Sequence, residues 1–342
     1  MDLWLLIGIS LIKILIVITL IFLTVAYLVY FERKISAWVQ NRLGPNRVGP
    51  YGLLQPFADV LKLFVKEDIV PDAANKKIHT LAPIIALFVA FSTYAVLPAG
   101  PAIELFGYTI PLVVADVNAG ILIVLALTSL GVYGLTFSGW SSGSKYSLLG
   151  GVRSSAQMIS YEISMGFSVA GVLLISESLR PIAIVESQYG WMWNAIIQPI
   201  GFITFLVSAF AETNRLPFDL PEAEPELVGG YHTEYSSTKF AAFFLAEYAN
   251  MIISSGLIVT LYLGGWQVPY IEKLGLSTGL QTLIQVAAFF FKVGFMLFFF
   301  IWVRWSIPRF KYNQLMNLGW KVMFPLSLIN LIWVALLVMW LN

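Results

Sequence analysis

The run LWLLIGISLIKILIVITLIFLTVAYLVY, residues 3–30, decides the fold because Lys13 is the single charged side chain within it. An α-helix rises about 1.5 Å per residue, so about 20 apolar residues cross the hydrocarbon core of a bilayer. The run is long for the apolar part of a signal peptide, and no small-residue cleavage site follows it. It therefore predicts a transmembrane helix that stays in the protein.

The composition of the whole chain agrees with this start. Of 342 residues, 58% are hydrophobic and 11% are charged, whereas soluble domains carry about 25% charged residues. The net charge of +1 gives no reason to expect a nucleic-acid partner. The lack of cysteine excludes disulfides, thiolate zinc sites and iron–sulfur ligation, and two histidines are too few for a haem-bearing bundle. We therefore predict no metal site and place any redox chemistry on another subunit or a diffusible molecule.

Hydropathy divides the chain into eight apolar segments, each near or above the length that crosses a bilayer. They cover residues 3–30, 80–99, 114–137, 157–178, 192–211, 240–263, 282–303 and 319–341. The alternate loops 31–79, 138–156, 212–239 and 304–321 hold sixteen Lys and Arg, whereas the loops between them hold two. Positive residues collect on the inner side of a membrane. The pattern predicts an all-α integral membrane protein with eight transmembrane helices in a single membrane domain, 1–342, and both termini outside.

The first inner loop, 31–79, contains a predicted surface helix. Residues 41–50 hold two Gly-Pro pairs, which indicate paired turns. In 53–67, apolar residues recur at helical spacing and polar residues fill the other face, which predicts an amphipathic helix in the membrane interface. This helix either seals the protein against the lipid headgroups or frames a lateral opening for a lipid-soluble ligand. The charges Glu32-Arg33-Lys34 before it are typical of an anchor that fixes the end of a membrane span.

The second inner loop, 212–239, is acidic, against the trend of the inner side. Residues 212–234 contain six carboxylates and one strongly basic residue, Arg215. Carboxylates that lie close together raise one another's pKa, so some can hold protons near neutral pH. Prolines at 217, 221 and 225 exclude one continuous helix. The loop is either an acidic docking surface or a segment that handles protons, and these two interpretations are compatible.

Three ionisable residues lie deep inside predicted spans, where a charge costs several kcal/mol and indicates function by default. Glu162 and Glu247 enter from the same side as the acidic loop, so a path of carboxylates toward the middle of the membrane is a reasonable hypothesis. The alternative is an interhelical hydrogen bond or ion pair, and Lys292 is expected to pair with a carboxylate. Lys13 is expected to reach the outer surface. Asp116 is interpreted as the cap of an outer helix start.

Motifs spread over nearly the whole chain resemble one family, the quinone-facing membrane subunit of respiratory complex I, called the H subunit in bacteria and subunit 1 in mitochondria. The residues that carry the resemblance are Glu32-Arg33-Lys34, Gly44-Pro45, Gly49-Pro50-Tyr51-Gly52-Leu53-Leu54-Gln55-Pro56, Ala58-Asp59, Lys66-Glu67, Arg153, Ala156-Gln157, Ser160-Tyr161-Glu162, Ala211-Glu212-Thr213-Asn214-Arg215, Pro217-Phe218-Asp219-Leu220, Glu234-Tyr235, Ala246-Glu247-Tyr248 and Pro308-Arg309-Phe310.

The resemblance implies a function that hydropathy does not give. The chain would join the hydrophilic arm of a proton-pumping NADH:quinone oxidoreductase to its membrane arm and form the membrane end of a tunnel for ubiquinone or menaquinone. No cofactor is then expected on this chain, with NADH, FMN and iron–sulfur clusters on partner subunits and quinone as the substrate. The implied partners are the quinone-site subunits of the hydrophilic arm, the small and antiporter-like membrane subunits, and lipid. The implied location is the bacterial inner membrane, with an organelle inner membrane as the alternative.

The resemblance also implies roles for particular residues. Quinone would contact Arg33, Phe57, Asp59 and Phe218. Proton coupling would involve Glu162, Glu212, Asp219, Glu222, Glu224, Glu226, Glu234 and Glu247. The expected charge partners are Arg153, Arg215, Lys292 and Arg309. On this hypothesis, quinone reduction changes the charge near the tunnel, the acidic loop responds, and the buried glutamates pass the change to antiporter-like subunits.

Three other functions are compatible with parts of the sequence. The same loops recur in the equivalent subunit of membrane-bound hydrogenases and ferredoxin-linked oxidoreductases, and neighbouring genes would separate these from complex I. A stand-alone transporter should show paired broken helices or a repeat between halves, which the sequence lacks in clear form. A scaffold without a catalytic part would not need three ionisable residues inside spans.

Overall fold

The apolar run at 3–30 forms part of a longer helix, α1 (Leu3–Val39), in the computed structural model, which describes residues 3–105, 108–221 and 224–341. The charges Glu32-Arg33-Lys34 lie inside α1, so the helix continues beyond the predicted end of the first span. No proline or glycine interrupts residues 30–39, and the helix therefore continues past the last apolar residue.

Twelve more α-helices follow within the described residues. They are α2 (Gln55–Val65), α3 (Lys76–Thr93), α4 (Gly120–Ser141), α5 (Lys145–Ser176), α6 (Pro181–Ser187), α7 (Asn194–Ile197), α8 (Pro199–Glu212), α9 (Glu224–Leu227), α10 (Ser237–Tyr262), α11 (Thr278–Ser306), α12 (Tyr312–Asn317) and α13 (Phe324–Leu341). A π-helical stretch, Leu318–Met323, joins the last two. Two short strands, β1 (Ile103–Leu105) and β2 (Tyr108–Ile110), pair antiparallel with Glu104 opposite Thr109.

Six helical stretches within 3–105, 108–221 and 224–341 are long and apolar enough to cross a membrane. They are Ile7–Val39, Gly120–Ser141, Lys145–Ser176, Ser237–Tyr262, Thr278–Ser306 and Tyr312–Trp340. The two remaining predicted segments contain the shorter helices α3 and α8. The structure thus shows an all-helical membrane protein with six candidate transmembrane helices.

Two predicted boundaries are wrong for reasons of local chemistry. The expected inner loop at 138–156 is mostly helix, because α4 ends at Ser141 and α5 begins at Lys145. Arg153 therefore lies on a helix. The expected span at 192–211 breaks at Gln198, whose φ of −131° and ψ of 69° are not helical. Pro199 follows directly, and a residue before proline avoids the helical conformation.

Helix α10 lies at the centre of the bundle. In the most apolar stretch of 18 residues in α10, 72% of the residues are buried. In the corresponding stretches of α1 and of the last helix, 22% are buried. The core around it contains large side chains from several helices, among them Tyr161, Phe205, Tyr262 and Phe300. A central, enclosed helix can hold a polar side chain away from lipid, which matters for Glu247.

The amphipathic helix is confirmed as α2. It packs against α1 and α10, and Phe57 contacts Tyr27 with ring centroids 6.3 Å apart. Its other apolar side chains, Leu61 and Phe64, are 65% and 68% exposed. The helix therefore presents an apolar surface outward, as an interfacial helix does.

Loops that the charge pattern places on one side contact one another. On the inner side, Lys239 Nζ lies 2.9 Å from Asp68 Oδ2, and the backbone N–H of Asn75 donates to Ser141. On the outer side, the N–H of Ile121 donates to Leu179. These contacts agree with the alternation of the predicted loops.

Two of the charged residues outside the site have partners other than those expected. Asp116 lies before the start of α4 and pairs with Arg180, so it is not a helix cap. Lys292 donates to the backbone carbonyls of Leu263, Gly265 and Gln267 at 2.8, 3.0 and 2.8 Å, so the predicted pairing with a carboxylate is wrong. The carbonyls after the end of α10 have no helical partners, and the ammonium group satisfies three of them.

Candidate functional site

The site is centred on Glu32, a carboxylate on α1 that is only 5% exposed. Arg215 Nη1 donates to both carboxylate oxygens of Glu32, at 2.9 and 3.1 Å, and Arg304 pairs with the same group. The Tyr248 hydroxyl donates to Glu32 Oε2 at 2.7 Å. On its other edge, Arg215 Nε lies 2.8 Å from Glu247 Oε1. Two acids and two arginines thus form one cluster around the buried pair of Glu32 and Arg215, and we call it the charge cluster.

Arg215 is the shared member of the charge cluster. It is 3% exposed, and its guanidinium carbon lies 4.3 Å from the centre of the Tyr248 ring. Burial alone would lower the pKa of Arg215, but the adjacent Glu247 and Glu32 raise it above its ordinary value. The side chain therefore stays charged, and a buried charge of this kind is tolerated only because it is paired.

The chain turn that carries Arg215 is fixed by one buried glutamine. Gln157 Nε2, on α5, lies within hydrogen-bond distance of the carbonyls of Ala211 and Phe218, each at 2.8 Å, and of Asn214 Oδ1 at 3.1 Å. Asn214 has a φ of 50°, a left-handed conformation that asparagine adopts more readily than most residues. The end of α8 and the start of the acidic loop are thereby held against α5.

A cavity of about 280 Å³ lies beside the charge cluster. Helices α1, α10 and α11 and the turn before α10 form its walls. Its polar lining comes from Glu32, Arg33, Ser36, His232, Glu247, Tyr248 and Arg304. Its aromatic lining comes from Tyr231, Phe240, Phe243, Phe244 and Trp305. A ligand in this space would meet hydrogen-bonding groups as well as flat apolar walls. We call this space the main cavity.

The predicted quinone-contacting residues have different positions. Arg33 lines the main cavity, and its Nη1 atom lies 2.5 Å from Asp59 Oδ2 on α2. Phe57 lies on α2, next to the same end of α1. Phe218 is buried between the rings of Tyr161 and Phe310, at centroid distances of 5.4 and 5.5 Å. Phe218 therefore belongs to the core and is not among the residues that line the main cavity, and its contact with quinone stays a prediction.

Two smaller cavities form a series with the main one through shared lining residues. A cavity of about 40 Å³ is lined by both Glu247 and Glu212. A cavity of about 10 Å³ is lined by both Glu212 and Glu162. Each space thus shares one glutamate with the next, and the predicted membrane carboxylates face protein cavities. The Ser129 hydroxyl donates to Glu162 Oε1.

The acidic loop lies at the inner end of this series. Arg309 Nη2 donates to Asp219 Oδ2 at 2.7 Å, and burial raises the pKa of Asp219 although Arg309 opposes the shift. Arg153 Nη1 lies 2.5 Å from Glu226 Oε2 near the surface. Glu234 is partly buried in the segment before α10. Glu222 and the side chain of Glu224 lie outside the described residues, so their predicted roles stay predictions.

Four residues of the site were not predicted to have roles there. Glu32 was interpreted as part of a topology anchor, and His232, Tyr248 and Arg304 received no role. The sequence did contain one indication of a role for Glu32. It follows directly after a long apolar run, which places its carboxylate near the membrane surface. Arg304 follows an apolar helix in the same way. Nothing in the sequence pairs the two, because 272 positions separate them.

The arrangement is suited to binding a partly apolar ligand next to groups that exchange protons. The aromatic walls suit a ring, while the arginines, tyrosine and histidine can donate hydrogen bonds to it. The carboxylates behind these groups can accept and release protons. Within the described residues, no group of three or more His, Asp or Glu is placed to hold a metal ion.

Comparison with known proteins gives a consistent result. The sequence profile of a family described as "NADH dehydrogenase" matches residues 12–335. The chain is 54% identical to "NADH-quinone oxidoreductase subunit 8" of Rhodothermus marinus over 94% of both chains. It is 53% identical to the H subunit of the NADH-quinone oxidoreductase of Salinibacter ruber over 94% of this chain and 93% of that one. It is 51% identical to an H subunit of the NADH-quinone oxidoreductase of Cytophaga hutchinsonii over 90% of both.

Proposed function

Because this chain belongs to the family of the H membrane subunit of NADH-quinone oxidoreductase, we propose that its main cavity is part of the quinone tunnel and that its buried carboxylates couple quinone reduction to proton movement. The observation that carries the proposal is the series of cavities, which share Glu247 and Glu212 between the main cavity and Glu162. The chain itself supplies no redox centre, and partner subunits deliver the electrons.

The main cavity has the features that a quinone head group requires. Phe240, Phe244 and Trp305 provide flat apolar walls, while Arg33 and Arg304 provide donors for the ring oxygens. Helix α2 lies beside α1 with its apolar face outward, so a lipid-soluble quinone would reach the cavity from the membrane between them. Asp59 orients Arg33 from this helix.

Reduction of quinone to quinol consumes two electrons and two protons. An electron that arrives before a proton places negative charge in the cavity, next to the charge cluster. That charge attracts Arg33 and Arg304, and Arg304 also holds Glu32. When Arg304 pairs less strongly with Glu32, the interaction of Glu32 with Arg215 changes. Because Arg215 also pairs with Glu247, the stability of the charge on Glu247 changes too. Proton uptake and release at Glu247, Glu212 and Glu162 follow from that change.

The proposal extends to the surroundings of the chain. With the inner loops on the positive side and both termini outside, the acidic loop faces the inner aqueous phase, where the hydrophilic arm would dock. Ion pairs at the surface, such as Arg153 with Glu226, would lie near that junction. Glu162, at the far end of the series, would pass protons to neighbouring membrane subunits. We place the complex in the bacterial inner membrane.

Glutamine substitutions in the assembled oxidoreductase test this function. We expect Glu212→Gln and Glu247→Gln to lower both quinone reduction and protons pumped per NADH, with turnover falling at least about tenfold, because an amide cannot release a proton. Glu272→Gln is the matched control, since Glu272 is exposed on the outer side, where it accepts a hydrogen bond from Tyr189. Normal pumping and normal quinone reduction in both test variants would refute the proposal.

A further inference from the structure

Ser208 is a buried serine that lines a cavity together with two glutamates. It lies one turn before Glu212 on α8, is only 1% exposed, and its Oγ atom has no hydrogen-bond partner within the described residues. Ser168 and Ser255, buried in other helices, donate to the carbonyl four residues earlier, whereas Ser147, Ser164 and Ser208 have no partner among the described residues. A buried hydroxyl without a partner is costly, so a bound group is expected at Ser208.

The hydroxyl has a defined space next to it. Ser208 lines the cavity of about 10 Å³ that Glu162 and Glu212 also line. This is the volume that the centre of a water molecule can occupy, and one bound water requires about this much. A buried water also needs two to four polar partners. The two carboxyl groups and the Ser208 hydroxyl provide three.

The turn of α8 that precedes Ser208 is bonded to α5. Thr204 Oγ1 and Ser168 Oγ lie 2.5 Å apart, a direct hydrogen bond between α8 and α5. Of the described residues that line the cavity, Glu212 and Glu162 are the ionisable ones. The small volume and the two carboxyl groups restrict the ligand to a molecule as small as water that can both donate and accept hydrogen bonds.

We propose that Ser208 holds one water molecule between Glu212 and Glu162 and thereby positions the proton relay between α8 and α5. This inference rests on the proposed function. When the Glu212 carboxyl gives its proton to the water oxygen, the water gives one of its own protons to the Glu162 carboxylate. The products are a Glu212 carboxylate, a Glu162 carboxyl and the same water, so no other reactant is needed. Ser208 is a positioning residue, because it exchanges no proton with the quinone.

Ser208→Ala and Ser208→Thr test the inference in the intact oxidoreductase in proteoliposomes. Removal of the hydroxyl should slow coupled quinone reduction about tenfold, the effect of losing one hydrogen bond to a charged group. It should also shift the carboxyl C=O bands in the infrared difference spectrum that accompanies quinone reduction. Ser208→Thr retains the hydroxyl and should restore both the rate and the spectrum.

Ser164→Ala is the matched control. Ser164 is equally buried on α5 and its Oγ atom also has no partner within the described residues, but it does not line the cavities described above. We expect the rate of coupled quinone reduction and the infrared difference spectrum of Ser164→Ala to be unchanged. If Ser208→Ala behaves like Ser164→Ala while Glu212→Gln is impaired, the water site is refuted and the proposed function stands. If Glu212→Gln is also normal, the proposed function itself fails.

Discussion

At the scale of single residues, the charge cluster combines groups that would each be unstable alone. Arg215 and Glu32 are both almost fully buried, and each has its partners within hydrogen-bond distance. Replacing one member leaves the other as an uncompensated buried charge, which costs more than the pair itself contributes. Substitutions in this cluster are therefore expected to affect stability as well as activity.

We predict that Arg215→Met destabilises the protein by about 3–5 kcal/mol, because Glu247 loses the partner that lies 2.8 Å away. The midpoint of thermal unfolding of the purified complex measures this. Adding Glu247→Gln removes the unpaired charge and should recover part of the loss. A double variant whose loss equals the sum of the two single losses would contradict the pairing.

His232 gives a prediction about pH. Burial lowers the pKa of His232 from 6.5 to about 4. The unfolded chain then binds a proton below pH 6.5 that the folded chain does not bind until about pH 4, so stability falls as the pH is lowered across this window. The loss is at most about 3 kcal/mol. Unfolding midpoints at pH 7 and pH 5 should differ less in His232→Gln than in the parent protein, and equal differences would exclude this role.

At the scale of elements, α4 and α5 pack closely through glycines. A Cβ atom on Gly139 would lie 2.4 Å from the backbone oxygen of Ser147, whereas one on Gly131 would meet only Val89 Cγ1, at 3.6 Å. Close approach of this kind is common where small residues line a helix pair in a membrane. The short connection between the two helices, 142–144, depends on it.

We predict that Gly139→Ala destabilises the protein by about 1–3 kcal/mol, because backbone atoms must move to admit the methyl group. Gly131→Ala, in the same helix, is the control and should leave the unfolding midpoint within about 0.5 kcal/mol of the parent value. Equal effects of the two substitutions would show that α4 and α5 are not held as closely as described.

The elements also show what the sequence could predict. Apolar length and periodicity indicated α1, α2 and the centres of the long helices, because burial in lipid depends on the local sequence. The partners of Asp116 and Lys292 could not be predicted, since Arg180 and the carbonyls after α10 reach them only through tertiary packing. The motifs selected Glu212, Glu247 and Arg33, but only the folded chain shows that Glu32 joins them and that Phe218 belongs to the core.

At the scale of the whole molecule, charge separates two faces. By the predicted alternation of loops, sixteen Lys and Arg belong to one side and two to the other, and loops of the same predicted side contact one another. The main cavity and the acidic loop lie toward the positive face. The chain would thus receive its ligand and its partner subunits from one side of the membrane.

The complete lack of cysteine makes this orientation simple to test. We predict that a cysteine at Glu104 reacts with a membrane-impermeant maleimide added outside intact cells, while a cysteine at Asp72 reacts only in inverted vesicles. Both positions are exposed in the structure. Labelling of both cysteines from the same side would contradict the alternation of the loops.

The position of Arg215 between Glu32 and Glu247 has a consequence for the order of events during turnover. Arg215 is shared by the two acids, and Glu32 also pairs with Arg304, so the acids compete for the Arg215 guanidinium. A proton gained by either acid releases the cation to the other and makes a second proton less favourable there. The cluster should therefore bind one proton at a time, which would impose an order on the protonation of two acids that line the same cavity.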